Sequence, residues 1–136
     1  MTKILEMYKC NICGNIVEVV IPGAGELVCC GQPMERMREQ TEGEEMVGEK
    51  HVPVISKTEN GVEIKVGSVP HPMEDNHYIM FIEANSPDKR YVKRKYLFPH
   101  EEPVLKLKCD CDNVVARELC NIHGLWISEE WSDKDD

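Results

Sequence analysis

The sequence has few aromatic residues, a deficit of basic residues, and no long apolar run. Aromatic residues make up 6% of the 136 positions, so aliphatic side chains must form the core. Lysine and arginine number 16 against 25 acidic residues, which gives a formal net charge of -9. Proteins bind nucleic acids by neutralising phosphates with Lys and Arg, so we expect no nucleic-acid partner. No apolar stretch approaches the roughly 20 residues of a membrane span, so we expect no membrane association.

The N-terminal residues also lack the apolar segment that follows the charged start of a signal peptide. We therefore expect a cytoplasmic protein, and the 41% hydrophobic and 30% charged composition predicts a folded one. Persistent disulfides are rare in that reducing compartment. The chain nevertheless has seven cysteines, an odd number, which favours metal ligation over a disulfide framework.

Three segments are predicted along the chain. Residues 1–36 hold short strands, including one at 16–21, and too few apolar residues to fold without a metal. Residues 37–48 are polar and predict a linker. Residues 49–136 contain six or seven short strands with turn signals between them, which predicts a β-sandwich. The strongest signals there are the period-two alternation at 62–66 and the Asn-Gly turn before it, whereas the acidic tail at 128–136 predicts a solvated end.

Four cysteines in the first segment are spaced as a metal site: Cys10, Cys13, Cys29 and Cys30. Four thiolates suit a closed tetrahedral site for zinc or for a single iron, and the spacing alone favours neither metal. Adjacent side chains tend to diverge, so Cys29 and Cys30 can share one ion only in a distorted geometry. A disulfide between these two neighbours is the least favoured interpretation.

A second candidate site combines imidazoles with one thiolate. Prolines on both sides of His71 keep it out of a sheet ladder and place it with His77 in a rigid loop. Cys120 and His123 form a C-x2-H pair that can bind one metal from a single turn. His51 opens a predicted strand. One such histidine alone would signify little, but two spaced pairs and a third histidine near strand ends predict a metal centre.

Taken together, these motifs resemble those of desulfoferrodoxin, the two-iron class of superoxide reductase. The matching segments, in the family's order, are Cys10-x2-Cys13, Cys29-Cys30, Glu49-Lys50-His51-Val52-Pro53, His71-Pro72-Met73-x3-His77 and Cys120-Asn121-x-His123-Gly124-Leu125-Trp126. The resemblance implies a mostly β protein, with a small rubredoxin- or desulforedoxin-like domain stapled by a metal and an immunoglobulin-like catalytic sandwich.

The resemblance also implies two iron ions, one per domain. One is an FeS₄ centre held by the first four cysteines, although zinc remains possible there. The other is an iron centre with equatorial imidazoles from His51, His71, His77 and His123 and an axial thiolate from Cys120. Lys50 is then the cation beside the open site, and Glu49 occupies that site in the oxidised resting state.

The implied activity is one-electron reduction of superoxide to hydrogen peroxide, a defence against oxidative stress in an anaerobe or microaerophile. The iron of the four-cysteine centre is a possible electron relay, rubredoxin or a similar small protein is the implied donor, and the family is usually homodimeric. The basic stretch at 89–95 is a candidate docking patch for such a donor, or simply a solvated strand face.

Other interpretations of the residues stay open. The protein could be a rubredoxin-like electron carrier or a structural zinc module in which the histidines are incidental. A zinc-ribbon adaptor fits poorly with the acidity, and non-haem oxygenases more typically use two histidines and a carboxylate. Cys109 and Cys111 are not needed for either ligand set, and we expect them to be buried free thiols.

Overall fold

The computed structural model describes residues 1–44, 51–67 and 71–133. The chain divides into two compact units, Met1–Arg38 and Glu39–Asp136. Both are built from β-strands, and the described residues hold a single short 3-10 helix, Glu42–Glu44. Among these residues no helix has the length and apolarity to cross a membrane.

The first unit is a pair of very small sheets. Strands β1 (Met7–Lys9), β2 (Ile16–Glu18) and β5 (Glu35–Arg36) form one sheet in the order β2-β1-β5. Strands β3 (Val28–Cys29) and β4 (Gln32–Pro33) form a separate hairpin. The strand predicted at 16–21 is thus shorter than expected. The buried apolar side chains described in this unit are few, namely Leu5, Met7, Cys10 and Val19.

The second unit is an antiparallel β-sandwich. One sheet contains β6 (Pro53–Lys57), β7 (Gly61–Val66) and β10 (Val104–Lys108) in the order β10-β7-β6. The other has the order β12-β11-β8-β9 and consists of β8 (Ile79–Asn85), β9 (Val92–Tyr96), β11 (Asn113–Cys120) and β12 (Gly124–Ile127). The mostly β fold with an immunoglobulin-like sandwich, expected from the resemblance, is confirmed.

The core of the sandwich follows from the alternation seen in the sequence. On β7 the side chains of Val62, Ile64 and Val66 are buried, whereas those between them are not. They belong to one cluster with apolar side chains of β8 and β11, including Ile82 and Ala116. Because successive side chains of a strand point to opposite faces, this period-two pattern defines the inward face of the sheet.

A buried ion pair joins the two central strands of the larger sheet. Glu83 on β8 lies opposite Arg117 on β11, and both side chains are almost completely excluded from solvent. The Arg117 Nη2 atom lies 2.6 Å from Glu83 Oε2, and Arg94 on the edge strand β9 binds the other oxygen. Arg117 also lies 3.3 Å from the partly exposed Glu39, so Glu83 is the buried carboxylate shared by two arginines, and removing it would be strongly destabilising.

Two expectations for the second unit are wrong. Within residues 128–133 the acidic tail is not simply solvated, because β13 (Trp131–Ser132) pairs with Asn113 and Val114 of β11, while residues 134–136 lie outside the described residues. Trp131 is partly buried and packs against the core cluster. Cys109 and Cys111 are not buried free thiols either, since they form a disulfide and both are half-buried.

Candidate metal centres

The four cysteines of the first unit converge on one point. Their sulfur atoms all lie within 4.8 Å of one another. The Cys13 and Cys29 sulfurs are 3.6 Å apart, and those of Cys29 and Cys30 are 4.0 Å apart. A tetrahedral ion with metal–sulfur bonds of about 2.3 Å separates its sulfurs by about 3.8 Å. The cluster therefore fits a single tetrahedral ion, either iron or zinc.

The backbone at Cys30 explains how adjacent cysteines share this site. Cys29 pairs with Gln32 across the β3–β4 hairpin, so Cys30 and Gly31 are its two loop residues. Both have positive φ, 53° and 74°, as a type I′ turn requires. Glycine adopts this conformation freely, whereas cysteine adopts it at some cost. The sharp turn brings the two sulfurs together, and this is the distortion that the sequence predicts.

The thiols of this cluster do not titrate alike. The backbone N–H groups of Cys13 and Ile12 donate to the Cys10 sulfur and lower the pKa of Cys10 to about 6. The neighbouring Cys13 thiol, followed by those of Cys10 and Cys29, raises the pKa of Cys30 to about 12. Four thiolates cannot accumulate at one point without a cation, so the crowding itself favours a bound metal.

In the second unit, four imidazoles form a closed ring. Each ring contacts the next in the order His51, His71, His77, His123 and back to His51, with centroid separations of 4.6, 4.9, 5.2 and 4.9 Å. The His51 Nε2 atom lies 3.0 Å from His71 Nε2 and 3.2 Å from His123 Nδ1. Two nitrogens bound at right angles, each about 2.1 Å from a metal, would be about 3.0 Å apart. The arrangement therefore fits an equatorial set of ligands.

Cys120 supplies the fifth ligand atom. Its sulfur lies 3.7 Å from His71 Nε2 and 3.9 Å from His123 Nδ1, two nitrogens that are not neighbours in the ring. The five ligand atoms all lie within 4.8 Å of one another. A sulfur at similar distances from nitrogens on opposite sides of the ring suits an axial thiolate.

The hairpin between β11 and β12 presents two of these ligands. Cys120 pairs with Gly124, so the loop has three residues and ends with His123. Gly124 has φ of 88°, which closes such loops and favours glycine. The register of β11 against β8 also shifts between Leu119 and Cys120. The turn and this irregularity together aim the thiolate and the imidazole at one point.

Hydrogen bonds and stacking orient the imidazoles. The His71 Nδ1 atom lies 2.8 Å from the Pro72 carbonyl, which can only accept, so Nδ1 carries the proton and Nε2 is left to bind a metal. Trp126 stacks on His51 with centroids 4.8 Å apart. Its indole N–H also donates to the His123 carbonyl at 3.2 Å. The rings are thus held in place by the protein itself.

Two residues that support the site had no role predicted from the sequence, although Asn121 stands in the quoted motif. Asn121 accepts a hydrogen bond from the Tyr78 N–H and donates to the Asn76 carbonyl, so it ties the hairpin to the end of the His77 loop. Gln40 lies in the segment predicted to be a linker, yet its side chain donates to the His123 carbonyl at 2.7 Å. No local pattern marks Gln40, because its partner is 83 residues away.

The structure places the proposed site residues as follows. It brings together the four cysteines as one group, and the four histidines with Cys120 as the other. The donor sets of both groups fit iron. Glu49 and Lys50 lie outside the described residues. The fifth histidine, His100, is exposed and lies 3.0 Å from Asp75, apart from both groups.

Comparison with known proteins gives a family for both units. Residues 2–37 match the desulfoferrodoxin N-terminal domain, and residues 43–129 match the desulfoferrodoxin family itself. This chain belongs to the desulfoferrodoxin family. A desulfoferrodoxin homolog of Archaeoglobus fulgidus is 54% identical over 128 residues, covering 94% of this chain and 99% of the relative. The desulfoferrodoxin of Nitratidesulfovibrio vulgaris is 51% identical over 124 residues, covering 91% of this chain and 95% of the relative.

Solved structures of superoxide reductases are similar in fold to this chain. The superoxide reductase from Treponema pallidum is similar with a TM-score of 0.70 at 25% identity, over 92% of this chain and 98% of that one. The one-iron superoxide reductase from Giardia intestinalis matches with a TM-score of 0.52 at 29% identity. This match covers 62% of this chain and 98% of the Giardia chain.

Proposed function

We propose that this chain is a superoxide reductase that converts superoxide, one electron and two protons into hydrogen peroxide. The observation that carries the proposal is the ring of four imidazoles with a single thiolate beside it. Family membership and similarity to proteins named superoxide reductase support it. The ligands of this centre are then His51, His71, His77, His123 and Cys120.

The donor set suits this reaction. Iron bound here would supply the single electron and a coordination position for a small anion. Neutral imidazoles would leave a ferrous ion its attraction for an anion, and the Cys120 thiolate would add electron density to it. The proton on His71 Nδ1 is held by the Pro72 carbonyl, so this ring keeps its binding nitrogen aimed inward.

Two charged residues beside His51 complete the proposed site. From the family resemblance we propose that Lys50 provides a local positive field for superoxide, and that Glu49 would replace the substrate when the bound iron is oxidised. The chain has a net charge of -9, which repels the substrate at long range, so local attraction by Lys50 has to overcome it. Such steering weakens as salt screens the lysine.

Pulse radiolysis of the reduced, iron-loaded protein tests the activity. We expect a diffusion-limited reaction with superoxide, one peroxide formed per superoxide, and no oxygen released. Lys50→Ala should slow the reaction and reduce its salt dependence. Lys106→Ala is the matched control, because that lysine is exposed on β10 and should leave the rate unchanged. If the protein has iron confirmed at both sites and still shows no fast reaction, the reductase proposal is wrong. The protein is then an electron carrier or a metal-binding module.

The four-cysteine centre is proposed to relay electrons to the second iron, with Cys10, Cys13, Cys29 and Cys30 as its ligands. Cys13→Ser tests this role. Slower re-reduction of the second iron after turnover would support a relay. Unchanged re-reduction and unchanged peroxide production would make the first centre structural.

A small acidic electron donor such as rubredoxin is the proposed partner, and the basic stretch around β9 is its proposed docking patch. This strand lies at the edge of its sheet, with Tyr91 and Tyr96 largely exposed. Arg94 binds Glu83 and Lys95 donates to the Val104 carbonyl, so those charges also serve the sandwich. The exposed cations Lys89, Arg90 and Lys93 are therefore the sharper test.

Changing these three cations to glutamate should slow reduction by rubredoxin at low salt, with a smaller effect at high salt. Reduction by a small uncharged reductant is the control and should not change. An unchanged rate with rubredoxin would show that these cations are not a docking patch.

From the family resemblance we also propose a cytoplasmic homodimer. Sedimentation equilibrium at micromolar concentration tests the dimer, and a monomer there would contradict it.

A further inference from the structure

Cys109 and Cys111 belong to neither group of metal ligands. Their sulfurs are bonded to each other, and their Cα atoms are 5.2 Å apart. This separation lies inside the range of roughly 4.4–6.8 Å that disulfides span. The other five cysteines form no disulfide, and all five belong to the two ligand groups. The pair is thus a separate piece of sulfur chemistry.

The fold holds the two sulfurs close together. The pair lies in the loop from β10 to β11, which joins the two sheets of the sandwich. On one side the Cys109 N–H donates to the Asn60 carbonyl at 3.0 Å. On the other side the Asp133 N–H donates to the Asp112 carbonyl at 2.8 Å. These anchors involve only backbone atoms, so they persist when the disulfide is reduced and keep the two thiols close to each other.

The bond is also accessible. Both cysteines are half-buried and line an open cavity of about 440 Å³, together with Trp131. Hydrogen peroxide and small dithiols can therefore reach the sulfurs from solvent. A disulfide that encloses a single residue removes little conformational entropy from the unfolded chain, so it contributes little to the stability of the sandwich. Disulfides in reducing compartments are usually transient and redox-active.

We propose that Cys109 and Cys111 form a reversible two-electron redox couple, oxidised by hydrogen peroxide and reduced by dithiols. The source of peroxide rests on the proposed function, since peroxide is the product of superoxide reduction. The site thus gives the chain a second redox reaction beside the two metal centres.

The chemistry balances with peroxide as the only oxidant. One thiolate attacks an oxygen of hydrogen peroxide, the O–O bond breaks, and the departing oxygen leaves as water after taking a proton. The sulfenic acid that results is attacked by the second sulfur, the S–S bond forms, and the hydroxyl leaves as a second water. Two thiols lose two electrons, and one peroxide gains them. A dithiol restores the pair by exchange through a mixed disulfide and becomes a disulfide itself.

The charges around the cavity set the rate. Its lining includes the carboxylates of Glu59, Asp110, Asp112 and Asp133, and Lys57 lies 2.7 Å from Asp133. An excess of negative charge disfavours thiolates, and the thiolate is the form that attacks peroxide. The couple therefore reacts slowly and responds to peroxide that accumulates rather than to each turnover.

Thiol mapping of the full, iron-loaded chain tests the couple. The protein is reduced with dithiothreitol, freed of reductant without air, treated with peroxide, alkylated and digested with trypsin. Cleavage after Lys108 and Arg117 releases residues 109–117, which contain Cys109 and Cys111 and no other cysteine. We expect the mass of this peptide to be lower by two hydrogen atoms, and neither of its cysteines to be alkylated. Dithiothreitol applied to the folded protein should then restore both thiols.

Two variants and a control make the test specific. Cys111→Ser should give a singly oxidised Cys109 and no internal disulfide. Asp110→Asn should speed oxidation roughly two- to fivefold at neutral pH, because it removes a cavity-lining carboxylate from the residue between the two cysteines. Glu102→Gln is the matched control, since this exposed residue does not line the cavity and should leave the rate unchanged. Persistent alkylation of both thiols after peroxide, or a disulfide that dithiothreitol cannot reduce in the folded protein, would overturn the proposal.

A second arm separates this inference from the proposed function. Superoxide is supplied in place of peroxide, with and without catalase. Disulfide formation that catalase abolishes, with one peroxide per superoxide, supports both ideas. A couple that responds to added peroxide, in a protein that produces only the peroxide of spontaneous dismutation, would keep the couple and reject the reductase. If added peroxide does not oxidise the two thiols, the proposed redox couple is wrong, whether or not the protein reduces superoxide.

Discussion

Replacing Asn121 with alanine should weaken iron binding at the second centre. The Asn121 side chain accepts the Tyr78 N–H at 2.9 Å and donates to the Asn76 carbonyl at 3.1 Å. These bonds connect the hairpin that carries Cys120 and His123 to the end of the loop that carries His77. Asn121→Ala removes both side-chain bonds and leaves the backbone bond from the Asn121 N–H to the Tyr78 carbonyl.

The size of the effect follows from these two bonds. Each contributes about 0.5–1.5 kcal/mol net, and both lie where water can replace them, so we take about 1–2 kcal/mol for the pair. This energy converts to about a 5- to 30-fold loss in iron affinity. The figure agrees with the roughly 10- to 100-fold losses typical when a group that orients a ligand is removed.

Competition with a coloured chelator measures this affinity directly. Asn121→Asp retains the acceptor for Tyr78 and should show about half the loss in free energy. Asn76→Ala is the matched control, because Asn76 contributes its carbonyl to this contact. A change of less than about twofold in Asn121→Ala, in a folded protein, would refute the idea that this residue positions the two elements.

Three further predictions concern stability and the ligand scaffold. Removing the metal from the four-cysteine centre should unfold residues 1–38, because a structural metal supplies about 10–16 kcal/mol and this unit has few buried apolar side chains; amide hydrogen exchange should show lost protection there while β7 and β8 stay protected, and a protected apo unit would contradict it. Glu83→Ala should cost about 3–5 kcal/mol in urea unfolding, because it removes the buried carboxylate that binds both Arg117 and Arg94 and leaves Arg117 with the partly exposed Glu39. The matched change Glu63→Ala removes a partly exposed pair with Lys65 and should cost about 0–1 kcal/mol. Gln40→Ala should cost about 1 kcal/mol and alter the absorption spectrum of the second iron, because the His123 carbonyl loses its closest donor; an unchanged spectrum with unchanged stability would make Gln40 incidental.

Short-range patterns in the sequence predicted much of this protein. The alternation at 62–66 anticipated the inward face of β7, because the two faces of a half-buried strand differ in polarity. The grouping of cysteines and histidines into two ligand sets came from spacing within turns, and from resemblance to a family whose motifs occur in the same order. Such features are local, so the sequence displays them directly.

Contacts between distant segments decided the rest. The sequence indicated that Cys29 and Cys30 need a distorted geometry, but only the β3–β4 pairing shows that a turn with two positive φ angles provides it. The acidic tail contains a strand because β11 offers Trp131 an apolar place to pack.

The disulfide of Cys109 and Cys111 and the role of Gln40 likewise depend on tertiary structure. A loop anchored between two sheets brings the sulfurs into bonding distance, and the hairpin after Cys120 lies beside Gln40. The grouping of most candidate metal ligands is visible in the local sequence, because pairs such as Cys10 and Cys13 or Cys120 and His123 lie close together in the chain. The residues that hold those ligands in place come from remote segments, and only the packing of the folded chain brings them together.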